Sequence, residues 1–153
     1  IEEKKKRRKL LLNKAVEFKI DKVYFNKLTK SENVLNQNGE EIDYLKVTTE
    51  GPKSKSCAYC SDTAYFDELA DYIKCVDLLY CETTFLEKDK DKALSTLHST
   101  TTDAANLANK GAVKQLLIGH FSSRYDDYSN FLKEVKVIFD NVILSEEGKK
   151  IQV

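Results

Sequence analysis

The 153-residue sequence contains no methionine and no tryptophan, a single proline, five glycines and only two histidines. So little proline and glycine excludes collagen-like and low-complexity linker chains. No apolar run approaches the roughly 20 residues that a membrane-spanning helix requires, and the first residues lack the apolar stretch of a signal peptide. A cytoplasmic protein with no membrane partner is therefore expected. The four cysteines, Cys57, Cys60, Cys75 and Cys81, lie in apolar, strand-like surroundings, which argues against a disulfide framework and predicts reduced, buried thiols. Cys57-x-x-Cys60 lacks a second pair at comparable spacing, so it reads as core thiols in preference to a zinc or thioredoxin-like site. A chain that starts at Ile1 and has no methionine is expected to be a fragment.

Hydrophobic residues make up 41% of the chain and charged residues 33%, a composition that fits a globular protein of one domain. The 25 basic residues cancel the 25 acidic ones, so net charge selects no partner. Distribution says more, because residues 1–30 hold eleven Lys/Arg against four Asp/Glu. The run Lys4 to Lys9 is either a solvated basic surface or a contact for a nucleic-acid backbone.

The pattern predicts two regions, a basic lead-in over residues 1–55 and an α/β region over 56–153. In the first, a short helix is expected over Leu10 to Phe18 with Asn13 as its cap. Val34-Leu35, an Asn38-Gly39 turn and Ile42 to Val47 resemble a hairpin. In the second, strands at Cys57 to Cys60, Val76 to Tyr80 and Val113 to Ile118 alternate with helices at Phe66 to Ile73, Thr100 to Asn109 and Tyr128 to Phe139. Thr100 and Asp103 have capping-box spacing and Gly111 is expected to supply a left-handed stop. Val142 to Leu144 pairs with Ile151 to Val153 in a closing hairpin on this reading. Such alternation favours an α/β layer architecture with functional residues just beyond strand ends.

The candidate residues each have a plain structural alternative. Asp62, after a strand and between Ser61 and Thr63, suits a metal-bridging carboxylate or an ordinary turn. His98 lies in a Ser/Thr cluster, where it is a positioned imidazole or an exposed loop residue. His120, released from a buried strand beside Gly119, is a metal ligand or a core histidine. Ser122-Ser123-Arg124-Tyr125, ahead of a helix, suits an anion or a capped helix with a surface arginine.

Taken together, these segments resemble ribonuclease Z, the tRNA 3′-processing endonuclease family of the metallo-β-lactamase fold. Ala58-Tyr-Cys-Ser-Asp-Thr-Ala-Tyr65 is similar to the family's Asp-Thr element. Tyr80-Cys-Glu-Thr-Thr-Phe85 is similar to its His-Glu-Ala-Thr-Phe loop, His98-Ser-Thr100 to its His-Ser-Thr loop, and Gly119-His-Phe-Ser-Ser-Arg-Tyr125 to its last ligand-histidine motif. The resemblance implies the C-terminal half of an αββα sandwich with one sheet face uncovered. It also implies an enzyme that uses two zinc ions to remove the 3′ trailer from precursor tRNA, as a homodimer. Asp62 and His120 would hold metal. His98, oriented by Glu82, would assist proton transfer to the departing ribose oxygen, and Arg124, Ser122, Ser123 and Thr100 would hold phosphate. The family's upstream His-x-His-x-Asp-His motif and its tRNA-gripping arm have no counterpart here, and Cys81 stands where its loop carries a histidine. This chain is therefore expected to bind zinc weakly or not at all and to be inactive without an N-terminal half. A non-catalytic RNA-binding scaffold of the same fold and a small-phosphodiester hydrolase of the superfamily are the competing expectations.

Overall fold

The computed structural model describes residues 1–153, which divide into two compact units, Glu3–Ser54 and Ile1–Glu2 with Lys55–Val153. The smaller unit comprises β1 (Lys9–Leu10), α1 (Leu12–Glu17), a 3-10 turn at Lys22–Tyr24, α2 (Phe25–Thr29), β2 (Val34–Leu35), β3 (Glu41–Ile42), α3 (Tyr44–Val47) and β4 (Thr48–Thr49). Strands β1 and β4 pair antiparallel, as do β2 and β3, around a core of Ile20, Leu28, Val34, Ile42 and Val47.

The expected hairpin exists but is shorter and turns differently. Asp43 accepts a hydrogen bond from Leu45 N at 2.8 Å and so caps α3, which ends the second strand at Ile42. Asn36, not Asn38, organises the turn: its Oδ1 accepts from the backbone N–H groups of Asn38 and Glu40, both at 2.9 Å. Only Gly39 takes positive φ there, at +80°. Asn13 does not cap α1, because the helix begins one residue earlier and has no side-chain cap.

The larger unit comprises β5 (Cys57–Cys60), α4 (Leu69–Tyr72), β6 (Leu78–Glu82), a 3-10 turn at Glu87–Asp89, α5 (Lys90–Thr96), α6 (Thr101–Lys110), β7 (Gln115–Gly119), α7 (Ser129–Lys136) and β8 (Val142–Leu144). Its four strands form one parallel sheet in the order β5-β6-β7-β8. Crossovers of one hand between successive neighbours place their helices on one face of a sheet. Accordingly Ala58 and Cys60, Leu79 and Cys81, Leu116 and Ile118, and Val142 and Leu144 pack in one core with Ala104, Ala105, Leu107 and Ala108 of α6 and Phe131 and Val135 of α7. On the opposite face Tyr59, Tyr80, Leu117 and Ile143 stand in register. Tyr59 stacks on Tyr80 at 4.5 Å, yet is 70% exposed, since no helix of this unit covers that face.

Several expectations need correction. Leu144 is followed by no hairpin: β8 pairs only with β7, and Ile151 to Val153 are irregular. The helix expected over Phe66 to Ile73 is confined to Leu69–Tyr72. Cys75 is exposed, whereas Cys60 and Cys81 are buried. The capping box at Thr100 and Asp103 is present, but Gly111 is right-handed at φ −73°, and Ala112 takes the positive φ of 48°. Gly111 is needed for space, because a Cβ there would lie 2.9 Å from two carbons of buried Ile73. No helix is long and apolar enough to cross a membrane.

The leading ends of three strands share one carboxylate. Asp77 Oδ2 accepts from Ser56 N at 2.8 Å while Oδ1 pairs with Lys114 Nζ at 2.5 Å. The Lys114 ammonium first, then the Ser56 amide, hold Asp77 well below the ordinary carboxylate range, at about 2.

Two outcomes follow from these contacts. A carboxylate whose folded pKa is depressed stabilises the fold above its ordinary pKa near 4 and loses that contribution as the pH falls towards 2. Asp77→Asn is thus expected to lower the thermal midpoint at neutral pH and to flatten the decline of wild-type stability between about pH 4 and pH 2; parallel pH profiles would contradict it. Gly111→Ala is expected to cost about 1–3 kcal/mol by overpacking. In the Ile73→Ala background that cost should largely vanish in a denaturant-based double-mutant cycle.

Candidate functional site

The parallel sheet brings the ends of three strands together. Asp62 follows β5, Glu82 ends β6 and His120 follows β7, while His98 arrives from the loop between α5 and α6. Both Asp62 (φ 51°) and His120 (φ 62°) hold left-handed backbone that L-residues adopt only at a cost of about 1–3 kcal/mol each. The turn at His120 is held by Gly119, whose carbonyl accepts from Thr83 N at 2.8 Å. A Cβ at Gly119 would lie 2.4 Å from Ser145 Oγ and 2.8 Å from Tyr80 OH, so a side chain there would force both to move.

Glu82 is fully buried, and donors surround its carboxylate. It accepts from Thr63 N at 2.6 Å, Thr84 Oγ1 at 2.5 Å and Ser99 N at 3.4 Å, and both its oxygens lie 3.0 Å from His98 Nδ1. Burial pushes its pKa up, but the hydrogen bonds from Thr84, His98 and Thr63 outweigh that effect and hold it below the usual glutamate value. The carboxylate is charged, so the proton in each contact belongs to the donor.

This fixes the histidine tautomers. His98 donates from Nδ1 to Glu82, which leaves Nε2 as its open nitrogen. Thr84 gives its one hydroxyl proton to Glu82, so its oxygen must accept the 2.8 Å hydrogen bond from His120 Nδ1. His120 Nε2 is left to face Asp62 Oδ1 at 3.2 Å. A proton or a metal ion shared between these two atoms makes that approach attractive. Asp62, His98 and His120 each offer a ligand atom within 4.8 Å of the others. The His120–Asp62 spacing suits two ligands of one ion with bonds of about 2.0–2.2 Å, and an imidazole–carboxylate donor set suits zinc. Glu82 and Thr84 stand behind these ligands as outer partners that orient imidazoles at metal centres.

The anion-binding residues are less unified. Ser122 and Ser123 hydroxyls have no partner within the chain. Arg124 lies over the Phe85 ring at 5.1 Å and 3.8 Å from Asp89, so its charge is already partnered. These residues do not cap a helix, since α7 begins only at Ser129. Thr100 is a correction: it is fully buried, and its hydroxyl lies 2.8 Å from Asp103 and 2.9 Å from Glu87, which makes it a helix cap with nothing left for phosphate. Cys81 is also a core residue, 1% exposed on the helix-facing side of the sheet. Thr84 and the Ser99 amide are the site residues that sequence reasoning missed. Their only signal was hydroxyl enrichment beside Glu82 and His98.

No family model matches the chain. Among solved structures it is similar to the metallo-β-lactamase fold protein YhfI from Bacillus subtilis, with a TM-score of 0.55 and 24% identity over 67% of this chain and 41% of that one. The sheet with its single helical layer, and a site at the strand ends, place the chain in the metallo-β-lactamase fold. Sequence relatives are more specific. Ribonuclease Z of Parabacteroides distasonis is 45% identical over 75% of this chain and 38% of its own length. That of Bacteroides thetaiotaomicron is 36% identical over 99% of this chain and 48% of its own length. Over most of its own length the chain is thus similar to ribonuclease Z proteins, and it spans less than half the length of these relatives.

The tautomer assignment has a direct readout. In the metal-free chain at mildly alkaline pH, long-range nitrogen–proton NMR spectra are expected to show both neutral imidazoles as the Nδ1–H form. Thr84→Val should shift His120, but not His98, towards Nε2–H. Spectra with both rings as Nε2–H would contradict the geometry.

Proposed function

We propose that this chain is the C-terminal portion of a zinc-dependent endoribonuclease that removes the 3′ trailer from precursor tRNA. One observation carries the reading: in a chain with this similarity, Asp62, His98 and His120 converge, with both imidazoles oriented through buried Glu82. Asp62 and His120 hold metal. Zinc bound there supplies Lewis acidity and an activated water. His98, protonated at Nε2 from solvent, gives that proton to the 3′ ribose oxygen as the P–O3′ bond breaks and a water oxygen, losing its own proton, bonds to phosphorus, while Glu82 stabilises the ring in its charged form. Ser122 and Ser123 offer hydroxyl donors to the scissile phosphate, and Arg124 turns to it from Asp89. The products are a tRNA with a free 3′-hydroxyl and a trailer with a 5′-phosphate.

Three protein ligands complete a catalytic zinc site, and a two-ion centre needs more than this chain contains. The working enzyme therefore joins this chain to a preceding half bearing the remaining ligands, and acts as a cytoplasmic homodimer.

Zinc content and cleavage of a 3′-extended precursor tRNA test this reading. The chain alone should show weak zinc binding and no cleavage, and the protein with both halves should show both. In the latter, Asp62→Asn or His120→Ala should remove zinc together with activity. His98→Ala should keep zinc and lower cleavage about 10²–10⁴-fold. Loss of zinc in His98→Ala would make His98 a ligand, and full activity in Asp62→Asn would overturn the proposal.

A further inference from the structure

The chain is neutral overall because two opposite charges cancel. Residues of the Glu3–Ser54 unit include thirteen Lys/Arg and eight Asp/Glu, leaving twelve and seventeen for the other unit. A net charge of +5 on about a third of the chain is a strong field for a segment that contributes none of the candidate site residues.

The positive groups come from two stretches joined by specific contacts. Lys22, Asn26 and Lys30 are four residues apart along the continuous helical turns from Lys22 to Lys30 and share one face, and all three are exposed. Arg7 donates from Nη1 to Asn26 Oδ1 at 2.7 Å, and Arg8 N donates to Thr29 O at 3.1 Å. These bonds fix Arg7 beside Asn26 on that face, and Lys4 to Lys6 directly precede it in the chain. Lys4, Lys5, Lys22, Lys27 and Lys30 form no ion pair, and Lys27 only approaches the Tyr24 ring at 6.0 Å. Of the nearby acids, Asp21 accepts from Gln37 and Glu3 pairs with Lys6, while Glu32, just after α2, and Glu50, next to the Thr49 that pairs with Lys9, flank the ridge.

We infer that the Glu3–Ser54 unit binds RNA through its phosphate backbone along this ridge of Lys4, Lys5, Arg7, Lys22, Lys27 and Lys30. Unpaired, extended lysines hold phosphates as point charges without reading sequence. Tyr24 and Phe25 are packed against the unit's core, so base stacking adds nothing. The inference deepens the nuclease proposal by giving its substrate class a second contact surface made of different residues.

Binding of a labelled oligouridylate to the 153-residue chain across a salt series tests it. Lys22→Ala/Lys27→Ala/Lys30→Ala should weaken binding about tenfold at low salt and reduce the slope of log affinity against log salt by about 2, since each phosphate contact on a single strand contributes about 0.7. A matched triple variant of the other unit, Lys92→Ala/Lys136→Ala/Lys150→Ala, should change affinity less than twofold, with thermal midpoints confirming that both variants fold. Equal losses in the two variants, no RNA binding by the parent chain, or lysine-dependent binding to phosphatidylserine vesicles without RNA binding would each overturn it. Cleavage is not read in this assay, so failure of the nuclease proposal and failure of this one are separable.

Discussion

A single buried carboxylate constrains the site. Glu82 is fully buried at the end of β6, where an unpaired charge would cost several kcal/mol. Donors from the loops after β5 and β6 and from the His98 loop satisfy it, so the charge is retained and each donor's position is fixed by it. Because Thr84 has only one proton to give, the same carboxylate acts on both imidazoles, directly at His98 and through Thr84 at His120. Their open nitrogens are left to share the space beside Asp62. The site is prearranged by electrostatics before any ion or substrate arrives.

The sheet supplies what Glu82 cannot. Consecutive parallel strands bring three chain positions far apart in sequence to one edge, and one-sided helix packing fixes their register. Strained backbone at Asp62 and His120 then aims the side chains, a cost that persists only where the surroundings over-determine it. Rigid strand ends and local strain are the usual means by which a scaffold holds ligands for metal or substrate.

The α/β alternation was legible because the apolar spacing of Val113 to Ile118 and of Phe131 to Phe139 arises from burial, and burial decides these elements. The capping box at Thr100 was legible because its chemistry is local. Errors arose where one side chain diverted the backbone: Asp43 capping a helix inside an expected strand, Asn36 taking over a turn assigned to Asn38-Gly39, and Gly111 chosen for contact with Ile73 rather than for its φ. Within the site, Asp62, His98 and His120 stood out as sparse chemistry at element ends. Thr84 did not, since its role depends on a contact with His120, 36 positions further along the chain. Thr100 misled because the family resemblance gave it to phosphate although its capping-box spacing already committed the hydroxyl to Asp103.

The proposed enzyme depends on Glu82 acting on the metal site without touching metal. The most direct test is the zinc affinity of the protein containing both halves, compared between wild type and Glu82→Gln with folding verified. Loss of an outer-shell orienting group typically weakens binding about 10–100-fold, and that is the result expected here. A folded Glu82→Gln protein with unchanged zinc affinity would contradict the account, because the imidazoles would then be oriented by something other than the buried carboxylate.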